Sequence, residues 1–109
     1  MADRKCYQLT TKHLTKKGYA CWRATNWNHF AKCSQDLGGI FDIIALKDGH
    51  GVLGVQLTDH THRAVHRKKI LESKSYAQWK GAGGYILLIT WGNVGMKRGA
   101  PITCYEELL

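Results

Sequence analysis

Residues 40–46 read Ile-Phe-Asp-Ile-Ile-Ala-Leu, an apolar and largely β-branched run broken only by Asp42. Its length and composition predict a strand apolar on both faces. A carboxylate in such a run is costly unless something compensates it, and a divalent cation is one such compensation. The plainer alternative is an aspartate that caps a loop or pairs with an arginine; the mid-strand position weighs against it.

Lys47 to Gly51 is turn chemistry, and Val52 to Thr58 forms a second strand-like run, so the pair predicts a β-hairpin. Gln56 interrupts this second run as Asp42 interrupts the first. A loop centred on Gly49 sets Gln56 opposite Asp42, with both side chains on one face and Thr58 beside them. A two-residue turn at Asp48-Gly49 shifts the register by one and sends Gln56 to the far side. The first register is preferred because it gathers the polar strand residues on one face. The Gln56 amide oxygen and the Leu57 carbonyl then join Asp42 as candidate ligands for Mg²⁺ or Mn²⁺. The competing reading is a glutamine hydrogen-bonded to Asp42 with no metal.

Around the hairpin, residues 3–17 read as a helix stopped by Gly18, Tyr19 to Thr25 as a strand, and Asn26 to Ser34 as a loop carrying Trp27, His29 and Phe30. Thr61 to Ser73 reads as a basic helix and about Lys74 to Lys80 as a second one. Tyr85 to Trp91 is a buried strand, Gly92 to Ala100 a basic, Gly-rich loop, and Ile102 to Tyr105 a short edge strand. The order α-β-β-β-α-β predicts an α/β fold with a mixed central sheet flanked by helices. The length of 109 residues fits one domain spanning the chain.

Sixteen Lys and Arg against eight Asp and Glu give a net charge of +8, which points to a polyanionic partner, nucleic acid in the first place. No apolar run approaches a membrane span and no signal peptide is visible, so a cytoplasmic protein without membrane contact is expected. The four cysteines form no CxxC pair, so free thiols are expected. Arg63, Arg67 and Lys68, with Lys97 and Arg98 in the late loop, are candidate phosphate contacts, and Trp27 is a candidate base-stacking residue. His60, His62 and His66 invite a zinc reading, but they come without a paired Cys or carboxylate signature; they read as phosphate contacts or a pH-sensitive patch.

The succession Gly-Gly-Ile-Phe-Asp-Ile-Ile-Ala-Leu, turn, Gly-Val-Leu-Gly-Val-Gln-Leu-Thr, basic helix and Ala-Gly-Gly-Tyr-Ile-Leu-Leu-Ile resembles the PD-(D/E)XK nuclease superfamily. Within it, archaeal-type Holliday junction resolvases and small phage-type or mobile-element nuclease modules are the most similar. Asp36-Leu37-Gly38-Gly39, Val55-Gln56-Leu57-Thr58, Lys69-Ile70 and Trp91 also match a motif set of that kind, and the resemblance covers about residues 5–92.

The resemblance implies a Mg²⁺-dependent endonuclease on DNA, branched or single-stranded, and a two-fold dimer. It puts Asp42 in the metal-binding aspartate position. Gln56 stands where Glu is usual, and Thr58 where Lys is usual. Lys69, on the following helix, is the candidate to supply the missing positive charge to the transition state. These departures keep a second function open: a catalytically inactive nucleic-acid-binding module that retains the nuclease fold. A third is an adaptor that binds a protein partner and no nucleic acid.

Overall fold

The structure, a computed structural model, describes residues 4–28, 30, 33–35, 38–92 and 102–109, and the side chains of these residues except 4, 26–28 and 33–35. The elements are α1 (Arg4–Lys16), β1 (Ala20–Arg23), β2 (Asn26–Asn28), β3 (Cys33–Gln35), β4 (Ile43–Leu46) and β5 (Val52–Asp59), then α2 (Arg63–Glu72), α3 (Lys74–Gly81), β6 (Tyr85–Gly92) and β7 (Thr103–Leu108). The main sheet has the order β1-β4-β5-β6-β7. All its neighbours are antiparallel except β5 and β6, which run parallel because α2 and α3 carry the chain back between them. The expected mixed sheet flanked by helices is present.

The region expected to be a loop from Asn26 to Ser34 instead contains a small antiparallel ribbon, with Asn26 paired to Gln35 and Asn28 to Cys33. Three-residue strands are too short to show a period in sequence. The last strand is also longer than expected, running to Leu108 beside β6. Between the helices, Ser73 takes an extended backbone and its hydroxyl accepts from the Ser75 amide at 3.1 Å, ending α2 and capping α3.

The sheet separates two apolar layers. Leu14 of α1 packs with Ile43, Ala45, Leu53, Val55, Leu57, Leu87, Ile89 and Trp91. On the other face Ile70 of α2 packs with Ala24, Ile40, Phe41, Ile86 and Leu88, flanked by Tyr76 and Trp79 of α3. Strand alternation produces this division: odd-numbered residues of β4, β5 and β6 face α1, even-numbered ones face α2 and α3. Gly54 is where this second layer closes on the sheet. A Cβ there would lie 2.4 Å from the Phe41 ring, so only glycine lets that ring rest on the strand.

The β4–β5 register is the preferred one: Ile43 pairs with Val55, Ile44 with Gly54 and Leu46 with Val52, which centres the loop on Gly49. Gly49 and Gly51 have φ of +77° and +70°, the left-handed backbone such a loop requires. No helix among the described residues is long and apolar enough to cross a membrane.

Candidate functional site

The alternation of β4 breaks at Asp42. Phe41 lies in the α2–α3 layer and Ile43 in the α1 layer, although residues two apart in a regular strand share a face. The Asp42 amide donates to the Val55 carbonyl at 2.8 Å, and Val55 is already the partner of Ile43. Two residues of one strand therefore oppose one of the other, which is a β-bulge. The Asp42 carbonyl meanwhile accepts from the Ala24 amide at 2.8 Å, tying the bulge to the chain leaving β1.

A bulge leaves ladder groups without their usual partners, and the Asp42 side chain serves one of them. Its Oδ2 accepts from the Leu57 amide at 2.9 Å and from Gln56 Nε2 at 2.8 Å. Thr25 Oγ1 donates to Oδ1 at 3.4 Å. Asp42 is fully buried and Gln56 only 2% exposed. Low polarity strengthens these bonds and makes each costly to lose. The carboxylate that stands out in sequence thus has a structural task, holding Leu57 where β4 swings away.

Gln56 Nε2 also donates to the Leu57 carbonyl at 3.2 Å. The three groups expected to share a cation do converge: the Asp42 carboxylate, the Gln56 amide and the Leu57 carbonyl. The Gln56 side chain, however, turns its NH₂ toward the two acceptors. Its hydrogens stand between a carboxylate and a carbonyl, where a cation held by both would stand. Gln56 Oε1 is buried and has no hydrogen-bond partner within the protein. As arranged, Asp42 and the Leu57 carbonyl have the donor set of a hard-cation site, while Gln56 offers a donor where a ligand oxygen is needed.

Thr58 continues this face, buried beside Thr90 of β6, with its hydroxyl donating to the Asp59 carbonyl at 3.3 Å. Thr90 Oγ1, fully buried, and His66 Nδ1 of α2 have no partner within the protein either. Burial, and after it the charge of Lys69, lowers the His66 pKa, so the ring is disposed to stay neutral. Thr90, not singled out from sequence, interrupts the apolar run of β6 as Gln56 interrupts that of β5, and it belongs with Gln56 and Thr58 on the α2 side of the sheet.

The remaining predicted residues disperse. Lys68 and Lys69 are exposed on α2. The Lys69 charge is felt at His66. His62 binds the Asp59 carboxylate at 2.8 Å through Nδ1, and its amide donates to the same oxygen at 2.9 Å. Those bonds, the amide one first, lower the Asp59 pKa. His60 Nε2 lies 3.5 Å from Thr103 Oγ1. The His62 and His66 rings meet edge to face with centroids 6.5 Å apart, while His60 turns to Thr103 of β7.

Arg63 pairs with Glu107 of β7, and Arg67 Nε reaches the same carboxylate at 2.8 Å. The Arg63 guanidinium also lies over the Tyr105 ring, 4.5 Å from its centroid. Glu107 was not visible as a partner from sequence, because it lies some forty residues away and meets α2 only when β7 joins the sheet. Trp27 lies in β2, its side chain outside the described residues; Lys97 and Arg98 lie outside them altogether.

Comparison with family models and with curated proteins finds no match to this chain.

Proposed function

We propose that this chain is a nucleic-acid-binding module on a nuclease-like core, its cation position taken by its own glutamine amide. The observation that carries the reading is the double donation by Gln56 Nε2 to Asp42 Oδ2 at 2.8 Å and to the Leu57 carbonyl at 3.2 Å. The net charge of +8 and the exposed Lys68 and Lys69 on α2 support a polyanionic partner, DNA in the first instance. Arg63 and Arg67 join that surface only as far as Glu107 releases them.

A second reading, a Mg²⁺- or Mn²⁺-dependent endonuclease, is favoured by one observation: Gln56 Oε1 is buried without a partner. Rotating the amide puts this oxygen toward Asp42, an arrangement that requires a cation between them.

The experiment is a salt titration of binding to single-stranded, duplex and four-way DNA, run with and without Mg²⁺ and Mn²⁺ and followed by a cleavage assay. The expected result is metal-independent binding, with log affinity to duplex falling by about 0.9 per phosphate neutralised for each unit of log salt, and intact DNA throughout. Glu107→Gln should tighten binding and steepen the slope by freeing Arg63 and Arg67. Cleavage by the native chain that Asp42→Asn abolishes would replace this reading with the nuclease one. Absence of DNA binding at low salt would leave an adaptor for a protein partner.

A further inference from the structure

A different set of ligand-type side chains meets on the opposite side of the sheet. His13 projects from α1, while Cys104 and Glu106 are two apart on β7 and so share its face. One ligand atom from each, the imidazole nitrogen, the thiol sulfur and a carboxylate oxygen, lies within 4.8 Å of the other two. Among the described residues this is the one such grouping of His, Cys, Asp and Glu.

Its placement is fixed by the fold. The register of β7 sets Cys104 beside Trp91 and Glu106 beside Ile89 of β6. Trp91 Nε1 donates to Thr10 Oγ1 of α1 at 2.7 Å in the buried interior, and the Trp91 and His13 rings meet in a T-shaped contact with centroids 6.1 Å apart. Helix and strand are thereby held at the separation that brings the three groups together.

We propose that His13, Cys104 and Glu106 form a binding site for a borderline-soft divalent transition metal, with Zn²⁺ as its best occupant. Thiolate and imidazole together select zinc-class ions over Mg²⁺ or Ca²⁺, and three protein ligands at a partly exposed site leave the fourth position to water. His13 Nε2 and Glu106 Oε1 stand 2.5 Å apart, a hydrogen bond that the metal replaces by bonding to both. Lys17 Nζ donates to both Glu106 oxygens, to Oε1 at 3.1 Å and to Oε2 at 3.0 Å; the metal takes its place at Oε1, and the bond to Oε2 then orients the carboxylate from outside.

On binding, the Cys104 thiol gives its proton to solvent, and the proton held between His13 Nε2 and Glu106 Oε1 leaves to solvent as well. Burial, then the Glu106 charge, pushes this thiol up, an effect a divalent cation between the two groups reverses. The site links α1 to the C-terminal strand, so the metal stabilises the attachment of β7.

The test is titration of the reduced, full-length chain with Co²⁺ as a spectroscopic stand-in, then competition with Zn²⁺. The expected result is one equivalent with tetrahedral d–d bands and a thiolate-to-cobalt charge-transfer band, both displaced by Zn²⁺. Cys104→Ser should abolish the charge-transfer band. Cys104→Ser and His13→Ala should each weaken binding by at least about 100-fold, the upper range found for merely supporting groups. Cys21→Ser should change neither. As a check that does not depend on colour, Zn²⁺ should raise the Tm of the native chain and not that of Cys104→Ser. A native chain without a charge-transfer band, or a band that survives Cys104→Ser, overturns the proposal.

Discussion

The two polar clusters on either side of the sheet have opposite characters. The Asp42–Gln56–Leu57 cluster is sealed, its carboxylate met by donors from β5 and from Thr25, and its carbonyl by the Gln56 amide. The His13–Cys104–Glu106 cluster sits at the margin between α1 and β7, with His13 and Glu106 side chains about a third exposed. Burial accounts for the difference. A carboxylate at zero exposure has to be satisfied by whatever donors the fold places nearest, because leaving it without them costs several kcal/mol. A half-exposed cluster carries no such obligation, so its groups remain free to exchange partners. The carboxylate that looks most like a ligand in sequence is therefore the more fully committed one.

The largest effect that would break this contrast comes from Asp42→Ala. It leaves the Leu57 amide without its buried acceptor and the Gln56 NH₂ with the Leu57 carbonyl alone, at about 1–3 kcal/mol for each lost bond to the carboxylate. Urea unfolding should register a loss of roughly 2–6 kcal/mol on that basis. A loss under about 1 kcal/mol would show that the bulge holds without its carboxylate. Gln56→Glu sharpens the same point. A second carboxylate beside Asp42 should destabilise the chain by about 1–3 kcal/mol without divalent cation, and Mg²⁺ or Mn²⁺ should restore the Tm while leaving the native chain's Tm unmoved. Equal metal response in both chains would show that the native glutamine already admits the cation.

Across the sheet the expected losses are smaller. Trp91→Phe removes the bond to Thr10 but leaves Thr10 its bond to the Cys6 carbonyl at 2.8 Å. The cost should be about 1–2 kcal/mol by urea unfolding. Glu106→Gln, which loosens a half-exposed pair with His13 and Lys17, should cost about 0.2–1 kcal/mol, less in high salt. A loss as large as that of Asp42→Ala would erase the distinction between the clusters.

The smallest effects are in pH. Burial, then Lys69, holds the His66 pKa below its ordinary value, so below about pH 6.5 the unfolded chain takes up the proton first. Stability should therefore decline as pH falls through that point toward the folded pKa, and His66→Gln should flatten this limb of the pH–stability curve. Burial by itself raises the Glu106 carboxyl, but hydrogen bonds from His13 and Lys17 outweigh it and hold the pKa below the ordinary carboxylate value. Its contribution is present above that ordinary value and lost as pH falls through the folded one. Glu106→Gln should shrink the acid limb there; an unchanged limb would mean that the His13–Glu106 contact contributes nothing in solution.

Much of the architecture was legible from local sequence. The run 40–46 and the run Val52 to Thr58 are strands because β-branched and apolar residues occupy both faces, and of the two registers the turn allows, the one that gathers the polar residues on one face brings Asp42 to Gln56. The break between α2 and α3 fell at Ser73 because a serine there caps the next helix better than it continues the previous one. These features depend on neighbours within a few residues, which a sequence displays directly. The ribbon of β2 and β3 escaped because three-residue strands carry no period.

What tertiary structure alone decided was which polar groups satisfy one another. The sequence places Asp42, Gln56 and Leu57 together but does not say which end of the Gln56 amide faces the carboxylate; the bulge settles that by setting both Asp42 and the Leu57 carbonyl as acceptors in front of it. It displays a basic helix but not that Arg63 and Arg67 are claimed by Glu107. It gives no spacing that links His13 to Cys104 and Glu106, ninety residues on, because that meeting needs β7 beside β6 and α1 across them. Periodicity reports the surroundings of one segment at a time, whereas hydrogen-bond and ligand geometry depends on atoms that distant segments bring together.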